Sequence, residues 1–264
     1  MLDVIFYGED NRFTICQKKL RKYKIDSLIV KQKKELDEII NTKIIVLPFQ
    51  GIKELTSFDK YLFEKYKNSL FIFYNKTEKM EEIIKNNKLN ILDLTKINEF
   101  SFANNIASSE PTLKYIIEYL PYNFSSLRVC LLGYGKYGKE IFKLYNKLGM
   151  NVDVYVRKEE VKKEIGKNGY LLNELENNIN KYTLIVNTIP FNVINDNVLH
   201  KISLDTLMLD VSSFPYGWNH ETAKYLGLNS LILKGIPGIY RYKEIGEELA
   251  IVIRKCLEKW KNYV

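Results

Sequence analysis

With 264 residues, 46% of them apolar, the chain has material for two cores and the composition of an ordinary globular protein, which excludes fibrous and disordered classes. The net charge of +8 sets 40 Lys and Arg against 32 Asp and Glu, but only six of the cations are Arg and no basic stripe is interleaved with stacking aromatics. The short run Lys31, Lys33 and Lys34 reads as a solvated loop, so no nucleic-acid partner is expected. Three isolated cysteines (Cys16, Cys130, Cys256) and two distant histidines (His200, His220) suit neither a disulfide framework nor a metal site. No apolar run reaches the length of a membrane span and the start shows no leader, so a cytoplasmic protein is expected.

In chain order, short apolar strands are expected over 4–7, 27–30, 43–48, 69–74 and 90–94, separated by polar or helix-period stretches such as 77–87. That alternation predicts a parallel sheet covered by helices. Residues 98–109 lack periodicity and read as an inter-domain crossing. Pro111 and Thr112 open a linker helix over 111–120. A second series follows from Arg128: strands over 129–132, 152–156, 183–187, 206–213 and 230–233, a short helix over 218–226, and a long closing helix over 243–261. The expected fold class is α/β with two doubly wound parallel-sheet domains, 1–110 on the substrate side and 111–264 as a Rossmann dinucleotide-binding domain carrying both the linker helix and the C-terminal helix.

The second domain rests on Gly133-Tyr134-Gly135-Lys136-Tyr137-Gly138. An apolar strand precedes this run and an amphipathic helix follows, ending at Gly149 before the next strand. Strand, glycine turn, helix and strand within about thirty residues form the context a dinucleotide fingerprint needs. Gly133 permits the tight turn, Gly135 lets backbone approach a pyrophosphate, and Gly138 brings the helix close to the strand. The phosphates would sit at the helix N-terminus. Where NAD-binding proteins carry an acidic residue for the ribose 2′-OH, this chain has Arg157 followed by Lys158. Arg pairs with a 2′-phosphate, so NADP is favoured, with NAD as the alternative. The competing reading of Arg157 and Lys158 is a solvated helix start.

Ligands of open parallel sheets lie beyond the C-terminal strand ends. Three such ends carry distinctive residues: Asn187-Thr188-Ile189-Pro190, Asp210 with Ser212, and Gly235-Ile236-Pro237-Gly238. All are expected beside the cofactor, although each could be a plain turn. In the first domain, Asp10 and Arg12 follow the first strand. Arg12 could hold a substrate carboxylate in a fork; the alternative is that Asp10 caps a helix and Arg12 is solvated.

Taken together, the chain resembles the dipicolinate synthase A subunits. The resemblance covers most of the chain and is carried by Asp10-x-Arg12, Pro111-Thr112, the glycine run, Arg157, Asn187 to Pro190, Leu209 to Ser213 and Gly235 to Gly238. It implies a two-domain fold related to alanine and shikimate dehydrogenases and a sporulation role. It implies conversion of hydroxytetrahydrodipicolinate, a small dicarboxylate, to dipicolinate together with a separate flavoprotein, the B subunit. On the substrate side it points to Asp10, Arg12, Thr112 and Lys243, with Lys243 also the first candidate for a catalytic cation. The chain departs from the family pattern at Phe214 (Arg in the family), Lys114 and Glu244. Self-association stays open, as do a reductase of another small acid and a non-catalytic NADP-binding protein.

Overall fold

The computed structural model describes residues 2–32, 34–52, 56–74 and 77–260, so Lys33 of the basic run and Lys261 at the end of the expected closing helix lie outside the described residues. The chain forms two compact units, residues 1–104 with 237–264, and residues 105–236.

The first unit alternates strand and helix as its sequence predicts: β1 (Leu2–Tyr7), α1 (Asn11–Lys22), β2 (Ser27–Val30), α2 (Lys34–Asp37), β3 (Thr42–Val46), α3 (Ser57–Lys65), β4 (Leu70–Phe73), α4 (Glu78–Asn87) and β5 (Asn90–Asp93). All pairings are parallel, in the order β2-β1-β3-β4-β5. Helices cover both faces of such a sheet, which is why Val4, Ile5 and Phe6 of β1 and Ile44, Ile45 and Val46 of β3 are all buried in sequence.

The chain leaves this unit through α5 (Asn98–Ser109), a helix of 12 residues where an irregular crossing was expected. Its buried residues include Ser101, Asn104, Ala107, Ser108 and Ser109 beside Phe100. A buried face built from small and polar residues hides the apolar period that marks a helix.

The second unit continues with α6 (Thr112–Tyr119), β6 (Arg128–Leu132), α7 (Lys136–Lys147), β7 (Asn151–Val156), α8 (Glu159–Ile165), β8 (Gly169–Leu171), β9 (Leu184–Asn187), α9 (Asp196–Leu199), β10 (Leu207–Asp210), α10 (His220–Tyr225) and β11 (Asn229–Ile232). Its six strands are parallel, in the order β11-β10-β9-β6-β7-β8, with the reversal of strand order between β6 and β9. That is the doubly wound dinucleotide-binding order, whose ligands lie beyond the strand ends at the reversal.

α11 (Ile236–Tyr240) returns the chain to the first unit, where α12 (Tyr242–Trp260) packs on α1. The sequence reading placed this closing helix with the second domain. The reason for its actual partner is Gly246: a Cβ there would stand 2.7 Å from the Arg12 carbonyl oxygen and 2.8 Å from Ile15 Cβ, so only glycine lets the two helices approach this closely. Among the described residues no helix is long and apolar enough to cross a membrane, and no group of three or more His, Cys, Asp or Glu could hold a metal ion.

Candidate active site

At the end of β6 the chain turns at Gly133, whose φ of +98° lies in the region that favours glycine. A Cβ there would meet Thr188 Oγ1 at 2.5 Å, and one on Gly138 would collide with the Gly133 carbonyl. These two glycines therefore serve the turn and the close approach of α7. Gly135 differs: nothing lies within 4 Å of its Cβ position, and its φ of −74° is ordinary. It is the N-cap of α7, it makes no side-chain cap, and the first turn of α7 carries no acidic residue. The helix thus begins with unprotected N–H donors and open space above a glycine, which is what a pyrophosphate requires. The neighbouring side chains leave that space clear. Tyr134 packs edge-on against Phe142 with centroids 5.6 Å apart, the Tyr137 hydroxyl donates to the Ser108 carbonyl at 2.9 Å, and Lys136 is exposed.

Arg157 and Lys158 follow β7 directly, are exposed, and have no carboxylate partner among the described residues. β7 is the neighbour of β6 on the side away from β9, so Arg157 stands at the strand end where a ribose would lie.

On the other side of β6, Thr188 ties two strand ends together: its N–H and its Oγ1 both donate to the Leu132 carbonyl, at 2.9 and 2.8 Å. Ile189 is half-buried and Pro190 exposed. Asn187 and Asp210 are fully buried, and their polar atoms are spent within the protein. Asn187 Nδ2 donates to Asp210 Oδ1 at 3.0 Å and to the Ile189 carbonyl at 2.9 Å, while its Oδ1 accepts from Ile189 N–H. Asp210 accepts from Ser212 N–H and Oγ at 3.0 and 2.7 Å and from Gly217 N–H at 2.6 Å. The sequence reading put both residues against the cofactor; their side chains are buried and bonded within the protein, where they shape the loops after β9 and β10.

His220, at the start of α10, completes this network and had escaped the sequence reading. Its Nε2 lies 3.2 Å from Asp210 Oδ2 and its Nδ1 3.1 Å from Ser230 Oγ, which also accepts from Trp218 Nε1 at 2.9 Å. Burial alone would raise the Asp210 pKa, but the hydrogen bonds from His220, Gly217, Ser212 and Asn187 outweigh it and hold the carboxyl below its ordinary value. Ten residues separate His220 from its partner, and only the return of the chain through Gly217 brings them together.

At the end of β11, Gly235 is exposed with φ +63°, while Pro237 is buried. Gly238 is set against Arg12: a Cβ there would stand 3.1 Å from the guanidinium carbon.

Within the first unit, Asp10 caps α1, accepting from Arg12 N–H at 2.9 Å. The same carboxylate takes Arg12 Nε at 2.8 Å and Nη2 at 2.5 Å. The guanidinium lies 3.5 Å from the centroid of the Phe49 ring and Arg12 is 7% exposed. Asp10 is thus a cap, as the alternative reading had it, but Arg12 is not solvated: it is a fixed, buried cation forked to Asp10, and its Nη1 has no partner among the described residues. Thr112 is corrected: it is fully buried, its hydroxyl donating to the Ser109 carbonyl at 2.5 Å and accepting from Tyr145 at 2.7 Å, so it packs α6 and has no atom left for a substrate. Lys243 is exposed in the first turn of α12.

Two doubly wound parallel sheets and an open glycine turn define the two-domain fold shared with nicotinamide-dependent dehydrogenases. D-lactate dehydrogenase from Escherichia coli has this fold, with a TM-score of 0.68 at 10% identity over 98% of this chain and 97% of that one. More specifically, the chain is a relative of the A subunit of dipicolinate synthase. It is 30% identical to that protein of Bacillus subtilis (strain 168) over 181 residues, which are 67% of this chain and 61% of the relative's length. Crystal structures of the dipicolinate synthase A subunit superpose with a TM-score of 0.85: the Bacillus halodurans protein at 22% identity over 97% of each chain, and the Bacillus subtilis protein at 24% over 100% of this chain and 98% of that one. No family model matches.

Proposed function

We propose that the chain is an NADP-linked oxidoreductase of the dipicolinate synthase A kind, converting a small cyclic dicarboxylate toward dipicolinate in the cytoplasm during sporulation, with a flavoprotein partner. The observation that carries the reading is the start of α7: an uncapped helix over an open glycine, with an unpaired Arg157 at the next strand end. Bound nicotinamide supplies hydride transfer. The protein's part is placement. Gly133, Gly135 and Gly138 with the first N–H groups of α7 receive the pyrophosphate, and Arg157 and Lys158 the 2′-phosphate. Thr188 to Pro190, Ser212 and Gly235 border the nicotinamide, on strand ends fixed from below by Asn187 and Asp210. Arg12 and Lys243 are the cations offered to substrate carboxylates.

Gly135→Val tests it. Since the Cβ position is empty and φ is ordinary, the variant should fold, with only a modest loss of stability because valine is a poorer N-cap than glycine, yet its side chain takes the space a pyrophosphate needs. Calorimetric titration with NADPH should show about a hundredfold loss of affinity or more, equivalent to about 2.7 kcal/mol. A folded variant that still binds NADPH as wild type does would refute the site.

A further inference from the structure

Phe214 is 80% exposed, at the apex of the turn that follows β10, yet that turn is held firmly at its base. Ser212 and Gly217, one on each side of the apex, both donate their N–H to the buried Asp210 carboxylate, at 3.0 and 2.6 Å. Tyr216 N–H closes the turn onto the Ser213 carbonyl at 3.1 Å, and the N–H groups of Val193 and Ile194 bind the Gly217 carbonyl at 2.8 and 2.9 Å. Tyr216 itself takes φ +70°, a conformation that side chains other than glycine rarely adopt, and holds it against this framework. The rings stack in relay: Phe214 meets Tyr216 edge to face at 5.8 Å, and Tyr216 meets His220 edge to face at 5.5 Å. His220 is in turn fixed by Asp210 and Ser230. Beside them Lys234, just past β11, sets its ammonium 5.1 Å from the Tyr216 centroid. Lys234 is exposed and has no carboxylate partner among the described residues.

A water-facing aromatic ring on a rigid base, next to an unpaired cation, suits a ligand that is flat on one side and anionic at one edge. Asp210, the carboxylate beneath this turn, is buried and taken up by its own donors, so it does not stand exposed to an incoming anion. We infer that Phe214, Tyr216 and Lys234 form a specificity edge for a flat ring bearing one carboxylate, with Phe214 contacting the ring and Lys234 the carboxylate. The inference rests on the reading that these strand ends border a nicotinamide. It adds that this edge takes one carboxylate of the ring, because it offers one ammonium.

The test uses the full chain saturated with NADPH, titrated calorimetrically with pyridine-2-carboxylate, pyridine-2-carboxamide, cyclohexanecarboxylate and pyridine-2,6-dicarboxylate. Wild type should bind the flat monoacid about three- to tenfold more tightly than the saturated acid, and more tightly than the amide by about tenfold. Phe214→Ala should erase the preference for the flat ring and leave affinity for the saturated acid unchanged. Lys234→Met should erase the preference for acid over amide. Lys234→Met should lower the affinity for the dicarboxylate by about the same factor as for the monoacid. The edge is overturned if the flat acid fails to bind at millimolar concentration, if neither variant alters discrimination, or if Lys234→Met leaves the affinity for both acids unchanged. The NADPH titration separates the failures: a chain that binds NADPH but ignores flat acids loses this edge alone, whereas one that binds no NADPH loses the cofactor reading beneath it.

Discussion

Two strand–turn–helix units in this molecule start alike and end differently. β1 passes through Gly8 at φ +91° into α1, and β6 passes through Gly133 at φ +98° into α7. In the first, Asp10 caps the helix and its carboxylate also holds Arg12. In the second, the cap is Gly135, with no side chain at all and open space above it. The partial positive charge at a helix start attracts an anion in either case. One unit supplies that anion from its own chain; the other leaves the position open. The two units thus share a backbone motif and part at the capping residue.

The largest effect should come from emptying the closed unit. Asp10→Ala removes the cap and leaves the buried Arg12 without its counter-charge, which should cost about 3–5 kcal/mol of stability in denaturant unfolding. Asp10→Asn keeps a capping oxygen and should isolate the ion-pair share. A loss below about 1 kcal/mol in Asp10→Ala would mean the carboxylate is a surface cap and no more. The next effect probes the open unit at its far end. Arg157→Asp should weaken NADPH binding by about 1.5–3 kcal/mol through loss of a charge-assisted pair, and leave NADH binding nearly unchanged. Wild-type protein that already binds NADH more tightly would assign Arg157 to the solvated surface. The smallest effect on stability comes from converting one unit into the other. Gly135→Asp gives α7 the cap that α1 has, and its φ of −74° and ψ of −171° accommodate the change. Melting should reveal a gain of a few tenths of a kcal/mol while NADPH binding disappears. A variant that stays able to bind NADPH would show that the cap does not govern access.

The glycine turn was legible because its chemistry is local: three glycines, one strand and one helix, all within a single stretch of chain. Both parallel sheets were legible for the same reason, since strands buried on two faces read as apolar runs, except for the three-residue edge strand β8, too short to give one. What escaped depended on distance or on unusual composition. α5 hid because Ser101, Asn104 and Ser108 line its buried side. Thr112 was a substrate candidate through the family resemblance, and nothing in its sequence neighbours pointed to Tyr145, which sits 33 residues away and takes up its hydroxyl. His220 gave no signal toward Asp210. The partner of α12 did leave a trace: Gly246 inside an otherwise sound helix marks a close crossing, although sequence does not say with which helix.

That crossing has a consequence for the order of events at the ribosome. The second unit is one unbroken stretch, residues 105–236, whereas the first draws on both ends of the chain. Every strand of the first sheet is synthesised before any of the second, but the α1 surface that meets Gly246 gains its cover only when α12 emerges, more than 200 residues later. The unit made first is thus the one completed last, and the later-made unit can close its core while the earlier one still waits for its final helix.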